Sequence, residues 1–224
     1  MHIKRFLTAL VPAAILTLNV TPAMADFGTA DAVIHWDSLT FSSPITWDLR
    51  ESFVETGLAG GYTSQQADGF APLFQADYNA NSEVLANTMG SMDGAFANVG
   101  DHGYGYAYAE LYGAFTPDHD MNLTISFDYE LFGEVGGNHA SSDSYVFLLL
   151  GEAAFNDLLT LKSLGGYDSG DIFGTASVTA NLLANQTYDF SMGAAAQAAA
   201  VPLPGAAWLL GSCLSGLVVM RRKA

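Results

Sequence analysis

Four tyrosines at near-alternate positions, Tyr104, Tyr106, Tyr108 and Tyr112, are the most suggestive chemistry-bearing residues of this chain. Alternate residues of a strand point to one side. The four rings therefore share a face with Glu110, while Gly103, Gly105, Ala107, Ala109, Leu111 and Gly113 share the other. Tyrosines left in solvent can stack on sugar rings, because each ring has an apolar body and a polar hydroxyl. The same row can instead pack a core opposite the small face. Core packing is the simpler expectation, and carbohydrate binding is the alternative.

Other candidates are weaker. Asp118, His119 and Asp120 fall together between two strand-like runs, and Asp168-Ser169-Gly170-Asp171 forms a second acidic turn. Ca²⁺ takes roughly six to eight oxygen ligands, so Asp118, Asp120, Asp168 and Asp171 are possible ligands. No EF-hand loop or nonapeptide repeat accompanies them. Turns also favour Asp for backbone reasons alone. The expectation is no cofactor, with Ca²⁺ as the alternative. The five histidines, His2, His35, His102, His119 and His139, have no zinc-ligand spacing. No Gly-x-Ser-x-Gly elbow occurs between the two ends. A glycosidase needs two carboxylates at a suitable separation, but 23 acidic residues select no pair. The chain is expected not to be an enzyme, with a secreted hydrolase as the remaining alternative.

Charge is unevenly placed. Of 7 basic residues, Lys4, Arg5, Arg221, Arg222 and Lys223 lie at the ends, and only Arg50 and Lys162 lie between. All 23 acids lie in residues 26–200, giving that stretch a formal charge of −21. Nucleic acid and anionic membrane surfaces need a basic face, so both are excluded as partners of the body. The single cysteine, Cys213, lies outside it, so the body has neither disulfide nor thiol chemistry. The 175 residues from 26 to 200 suit one domain with a proper core.

Both ends read as targeting segments. Residues 1–25 have a basic start at Lys4 and Arg5, an apolar run from Phe6 to Val20, a break at Pro22, and a small-x-small site at Ala23-Met24-Ala25. This is the pattern of a secretory signal peptide cleaved before Asp26, with the export machinery and signal peptidase as partners. At the other end, Pro202 and Pro204 break the chain. Gly205 to Met220 then gives sixteen residues without a charge, closed by Arg221, Arg222 and Lys223. A bilayer core needs roughly 17–25 helical residues. The run reaches that span with help from Val201 to Pro204 and from the basic stems. The terminal cations mark the cytoplasmic side, and Trp208 suits the opposite interface.

This tail resembles the PEP-CTERM sorting signals of Gram-negative bacteria, in the variant that begins Val-Pro-Leu-Pro. The residues carrying the resemblance are Val201-Pro202-Leu203-Pro204, the run from Ala206 through Trp208 to Gly211-Ser212, Gly216-Leu217, and Arg221-Arg222-Lys223. Leu203 stands where the parent motif has Glu, and Cys213 where many such tails have Gly. The resemblance covers residues 201–224 only. It implies processing by an exosortase, transient anchoring in the inner membrane, and association with exopolysaccharide or biofilm. The implied setting is the cell envelope, outer surface or extracellular matrix.

Between the ends, the alternation is of the strand type. Ala32 to Phe41 and Ile45 to Leu49 are short strands, the second extending toward Val54. Thr63 to Asn98 is poorly patterned and reads as mostly loop with short strands, and Ser82 to Met89 could form a short helix capped by Ser82. Gly103 to Gly113, Met121 to Val135, Tyr145 to Leu150, Leu158 to Leu164, Asp171 to Leu183 and Thr187 to Met192 are further strands. Gly193 to Ala200 reads as an Ala-rich tether. Turns rich in Gly and Asn, few helices and no βαβ rhythm predict an all-β, antiparallel, jelly-roll-like sandwich over 26–192.

Overall fold

The computed structural model describes residues 26–88, 94–100, 103–137, 139–152, 158–166 and 169–200. Among the described residues every regular element is a strand, and no helix is long and apolar enough to cross a membrane. Twelve strands form two six-stranded antiparallel sheets, as the alternation predicts.

The first sheet has the order β11-β8-β1-β6-β5-β4. Its strands are β1 (Phe27–Phe41), β4 (Leu73–Tyr78), β5 (Ser82–Thr88), β6 (Ala95–Val99), β8 (Met121–Gly136) and β11 (Gly170–Leu182). The second sheet has the order β10-β9-β12-β7-β2-β3. It contains β2 (Trp47–Leu58), β3 (Gly61–Asp68), β7 (Gly103–Phe115), β9 (Ala140–Glu152), β10 (Leu158–Gly166) and β12 (Tyr188–Ala200). The nested pairs β1·β8 and β2·β7 lie in opposite sheets, the wrapped-hairpin arrangement of a jelly roll.

Two expectations are corrected. The poorly patterned stretch from Thr63 to Asn98 is mostly strand and not mostly loop, holding all of β4 and β5 and most of β3 and β6, and Ser82–Thr88 is strand and not helix. Its Ala, Asn and Ser content hides the period because small and polar residues fill both faces. The Ala-rich run from Gly193 to Ala200 is no tether. It completes β12, which pairs with β7 from Tyr188↔Phe115 to Ala200↔Gly103 and with β9 from Tyr188↔Glu152 to Ala200↔Ala140. The domain therefore runs to Ala200. Alanine is a poor strand former by intrinsic preference, but a strand enclosed by two neighbours and two packed faces is decided by what fits.

What fits is set by the taper of the core. At one end, Trp47 stands edge-on to Phe70, Phe115 and Phe190, with ring centroids 5.1–5.5 Å apart. Ile34, Leu111, Ile125, Phe127 and Met192 fill the middle, each at most 1% exposed. At the other end the inner residues are Ala30 and Ala32 of β1, Ala97 of β6, and Ala194, Ala196 and Ala198 of β12, all at 0%. A Cβ on Gly28 would lie 2.6 Å from the Ser141 carbonyl oxygen and 3.3 Å from that of Ala199. At Gly28 the sheets approach too closely for a side chain, while Val84 and Val99, also at 0% exposure, fill the neighbouring space.

That same approach brings the start of β1 beside the end of β12. The first and last strands thus meet at one pole of the sandwich. His139 Nδ1 lies 3.4 Å from Asp26 Oδ2 at this pole. On one flank the edge strands β3 and β4 are joined by side chains. Asp77 Oδ2 accepts from the hydroxyls of Thr56, at 2.6 Å, and Thr63, and Gln65 Nε2 donates to the Phe74 carbonyl oxygen at 3.1 Å.

Candidate functional site

The tyrosine row lies on the outer face of the second sheet, against the expectation that it packs the core. Ala107, Ala109 and Leu111 of β7 point inward and are at most 1% exposed. Tyr104, Tyr106, Tyr108, Glu110 and Tyr112 point outward and are half-buried. Alternation separates the two faces without saying which is inner. The narrow inter-sheet gap decides it, since β7 faces β5 and β6, where a Cβ on Gly105 would lie 2.8 Å from Val84 and 3.0 Å from Val99, and only the small face fits.

Register extends the aromatic face over neighbouring strands. Between β7 and β9, the outward residues of β12 are small: Ser191 opposes Tyr112 and Leu149, Gly193 opposes Glu110 and Phe147, and Ala195 opposes Tyr108 and Tyr145. With no bulk rising from β12, the rings of the flanking strands lean over it. Tyr108 stacks on Phe147 at 6.0 Å and 17°, and Tyr106 on Tyr108 at 6.4 Å and 14°. A Cβ on Gly193 would fall 2.6 Å from the Phe147 ring, so glycine is required beneath it. Phe53 meets Tyr108 edge-on at 6.0 Å, and Tyr62 meets Tyr106 at 6.2 Å. Phe147 is only 7% exposed while Tyr62 is 61% exposed, so the platform has a packed centre and open margins.

Carboxylates hold the phenols. Tyr108 donates to Glu110 Oε2 at 2.7 Å, and Ser191 donates to the other oxygen of Glu110. Tyr112 donates to Asp189 Oδ1 at 3.0 Å. Glu51 and Glu55 oppose Tyr112 and Tyr108 on β2. These surroundings disfavour phenolate. Burial, with the hydrogen bond and charge of Tyr62, pushes the Tyr104 hydroxyl up to about 12. Burial also raises Tyr106, reinforced by Tyr145 and Glu55. Burial and then the Glu110 charge raise Tyr108, burial and then the Asp189 hydrogen bond raise Tyr112, and burial raises Tyr145. At neutral pH the face therefore combines apolar ring surface, neutral hydroxyls and carboxylate acceptors.

The sequence reading missed Phe53, Tyr62, Tyr145, Phe147, Asp189 and Ser191 as members of this face. Tyr145 to Leu150 reads as a continuous apolar strand, which hides that Tyr145, Phe147 and Leu149 point outward. The available signal is the Gly193-Ala-Ala-Ala run itself: a strand of small residues between aromatic strands leaves room for rings from both sides.

The acidic turns are not brought together. Asp118, Asp120 and Met121 lie at one end of β8, and Asp171 pairs with Phe132 toward the other. Roughly a dozen residues of strand, on the order of 36 Å, lie between. Asp118 is paired with His119, and Asp120 accepts from the Ala184 amide at 2.8 Å, a turn-stabilising role. Asp168 lies outside the described residues. Among the described residues no three His, Cys, Asp or Glu side chains converge as a metal site. The cleavage residues Ala23 and Ala25 and the sorting residues Val201 to Pro204, Trp208, Gly211, Arg221, Arg222 and Lys223 also lie outside the described residues, whereas Asp26 leads directly into β1. Set against family models, curated proteins and solved structures, the chain matches none.

Proposed function

We propose that the chain is an exported protein of the cell surface or extracellular matrix, non-enzymatic, and sorted through residues 201–224. The support is the pair of sequence signals, together with a sandwich that starts at Phe27 and finishes at Ala200 on the same pole. In this reading, the tail anchors the chain transiently in the inner membrane. An exosortase-like enzyme then acts on the chain that follows β12. Mass spectrometry of both termini of the native protein tests this. A start at Asp26 and an end near Val201–Pro204 is expected. A retained Arg221-Arg222-Lys223 end excludes processing, and unchanged localisation after deletion of 201–224 excludes sorting by the tail.

A second reading concerns what the sandwich contacts once exported, and the outward aromatic face favours it. Tyr104, Tyr106, Tyr62 and Tyr145 offer ring surface to the apolar faces of sugars, while Glu55 and Glu110 accept hydroxyl hydrogen bonds. The acidic surroundings repel anionic chains, so neutral polysaccharide is the favoured ligand class. Retention on immobilised neutral glucans or mannans, lost in the Tyr104→Ala/Tyr106→Ala double variant, is the expected result. Equal retention of that variant, or no retention on any neutral polysaccharide, removes this reading.

A further inference from the structure

We propose that β11 is a self-association edge, and that its partner is β11 of a second copy of this chain. Among the described residues β11 is hydrogen-bonded on one side only, to β8, through thirteen consecutive register pairs from Gly170↔Gly133 to Leu182↔Met121 with no bulge. Natural sheets protect such edges with Lys, Pro, bulges or brevity. Gly170–Leu182 has no Lys, Arg or Pro, and Asp171 is its only charge. At the opposite flank, Thr63, Gln65 and Asp77 tie β3 and β4 together.

The strand is complementary to itself. Two copies in full-length antiparallel register share a two-fold axis at Ala176. On the outer face Asp171 then opposes Asn181, Phe173 opposes Thr179, and Thr175 opposes Ser177. No acid faces an acid, and Phe173, 78% exposed, gains a neighbour. On the inner face Ile172 opposes Ala180 and Gly174 opposes Val178, which extends the apolar side. The outer face already carries cross-strand pairs of the needed kind. Thr124 and Thr179 hydroxyls lie 2.8 Å apart, and Asn122 Nδ2 donates to Asn181 Oδ1 at 2.8 Å. A second copy of β11 prolongs that ladder. A two-fold contact of this type is isologous and joins two sheets edge to edge.

One strand pair covers less than the roughly 1,600 Å² of a standard stable interface. The formal charge of −16 also repels copies of the chain. Pairing is therefore weak, and strengthens with local concentration and with added salt.

The test uses the full chain in mild detergent with Cys213→Ser as background. Thr175→Cys and Ser177→Cys are prepared separately and mixed under mild oxidation. The mixed disulfide is expected to form several-fold faster than either variant cross-links to itself, because 175 faces 177 across the axis and not its own copy. A disulfide needs Cα atoms closer than about 7 Å. Cross-linking is expected to rise with NaCl. A mixed disulfide no faster than that of Thr175→Cys with Thr63→Cys on β3 overturns the proposal. Sedimentation velocity gives an independent reading. Ser177→Lys, at an exposed position, is expected to abolish the concentration-dependent species, and its unchanged association also overturns the proposal.

Discussion

The two outer faces of the sandwich are built from opposite materials. That of the second sheet is aromatic, with Tyr106, Tyr108 and Phe147 stacked over the small strand β12. That of the first sheet, over β1, β8 and β11, carries a ladder of short polar side chains, with Phe132 and Phe173 exposed toward one end. There Thr40 meets Ser126 at 2.8 Å, and Thr175 donates to Asp128 Oδ1 at 2.6 Å. Both faces lie over the same tapered core, so the difference is not forced by packing from beneath. The polar face is what an antiparallel sheet in water usually shows. The aromatic face departs from that pattern, and the proposed carbohydrate contact rests on it.

The comparison is broken most completely by removing what the aromatic rings rest on. A chain covering residues 26–192 lacks Gly193 to Ala200, eight of the 13 residues of β12, the strand between β7 and β9. Eight alanine-rich residues would matter little as a tether. As the centre of a sheet they carry ladder bonds on both sides and the inner positions Ala194, Ala196 and Ala198. The 26–192 chain is expected to be unfolded by circular dichroism, and a chain of 26–200 to unfold cooperatively in urea. A folded 26–192 chain would restore the tether reading and remove the floor from the aromatic face.

A smaller effect follows from Gly193→Val. Its Cβ has no room between the Ala109 carbonyl oxygen, at 2.5 Å, and the Phe147 ring. Overpacking of this kind costs about 1–3 kcal/mol, read as a fall in the urea midpoint. Phe147→Ala is expected to cost about 3 kcal/mol by loss of a nearly buried ring. Tyr62→Ala, at the open margin, is expected to lie within about 0.5 kcal/mol. If all three variants behave alike, the face has no packed centre distinct from its margins.

The two faces also differ in their response to alkali. The tyrosines of the aromatic face have folded-state pKa values raised above the ordinary 10. A folded state that holds its proton more tightly than the unfolded state is stabilised below the unfolded pKa. That contribution is lost as pH rises through the folded value. Stability should therefore be level from neutral pH to about 9 with respect to these groups, then fall between pH 10 and about 12 where Tyr104 ionises. Absorbance at the phenolate band and the urea midpoint should move together in that window. Tyr104→Phe/Tyr106→Phe should flatten the fall. A fall unchanged in that variant would assign it to other groups.

How much of this was legible depended on whether period or size carried the information. β8 was readable from Met121 to Val135 because its inward residues Leu123, Ile125, Phe127 and Leu131 are large and apolar and the intervening ones are polar. β7 revealed two faces, but the bulky face is the outer one, because Val84, Ala97 and Val99 of β5 and β6 already fill the space on its inner side, which alternation within β7 does not show. β12 was illegible for the same reason. A run with small residues on both faces has no period, and its place between β7 and β9 depends on partners that end 73 and 36 residues earlier, at Phe115 and Glu152 when counted from Tyr188. The targeting patterns at the two ends, by contrast, are local and can be read without any fold.

The smallest expected effect lies on the polar face and sharpens what its ladder is for. Thr124 and Thr179 oppose each other on β8 and β11, exposed to water, with hydroxyls 2.8 Å apart. Cross-strand pairs of this kind contribute roughly 0.2–1 kcal/mol. A double-mutant cycle with Thr124→Ala and Thr179→Ala should return a coupling in that range, an order of magnitude below the loss of most of β12. The same cycle measured in sedimentation velocity is more telling. Folding stability is little changed in each variant, so any loss of self-association in Thr179→Ala reflects the edge and not the sheet beneath it. Should association persist undiminished in both single variants and in the double, the ladder serves folding alone, and pairing at β11 rests on its backbone groups.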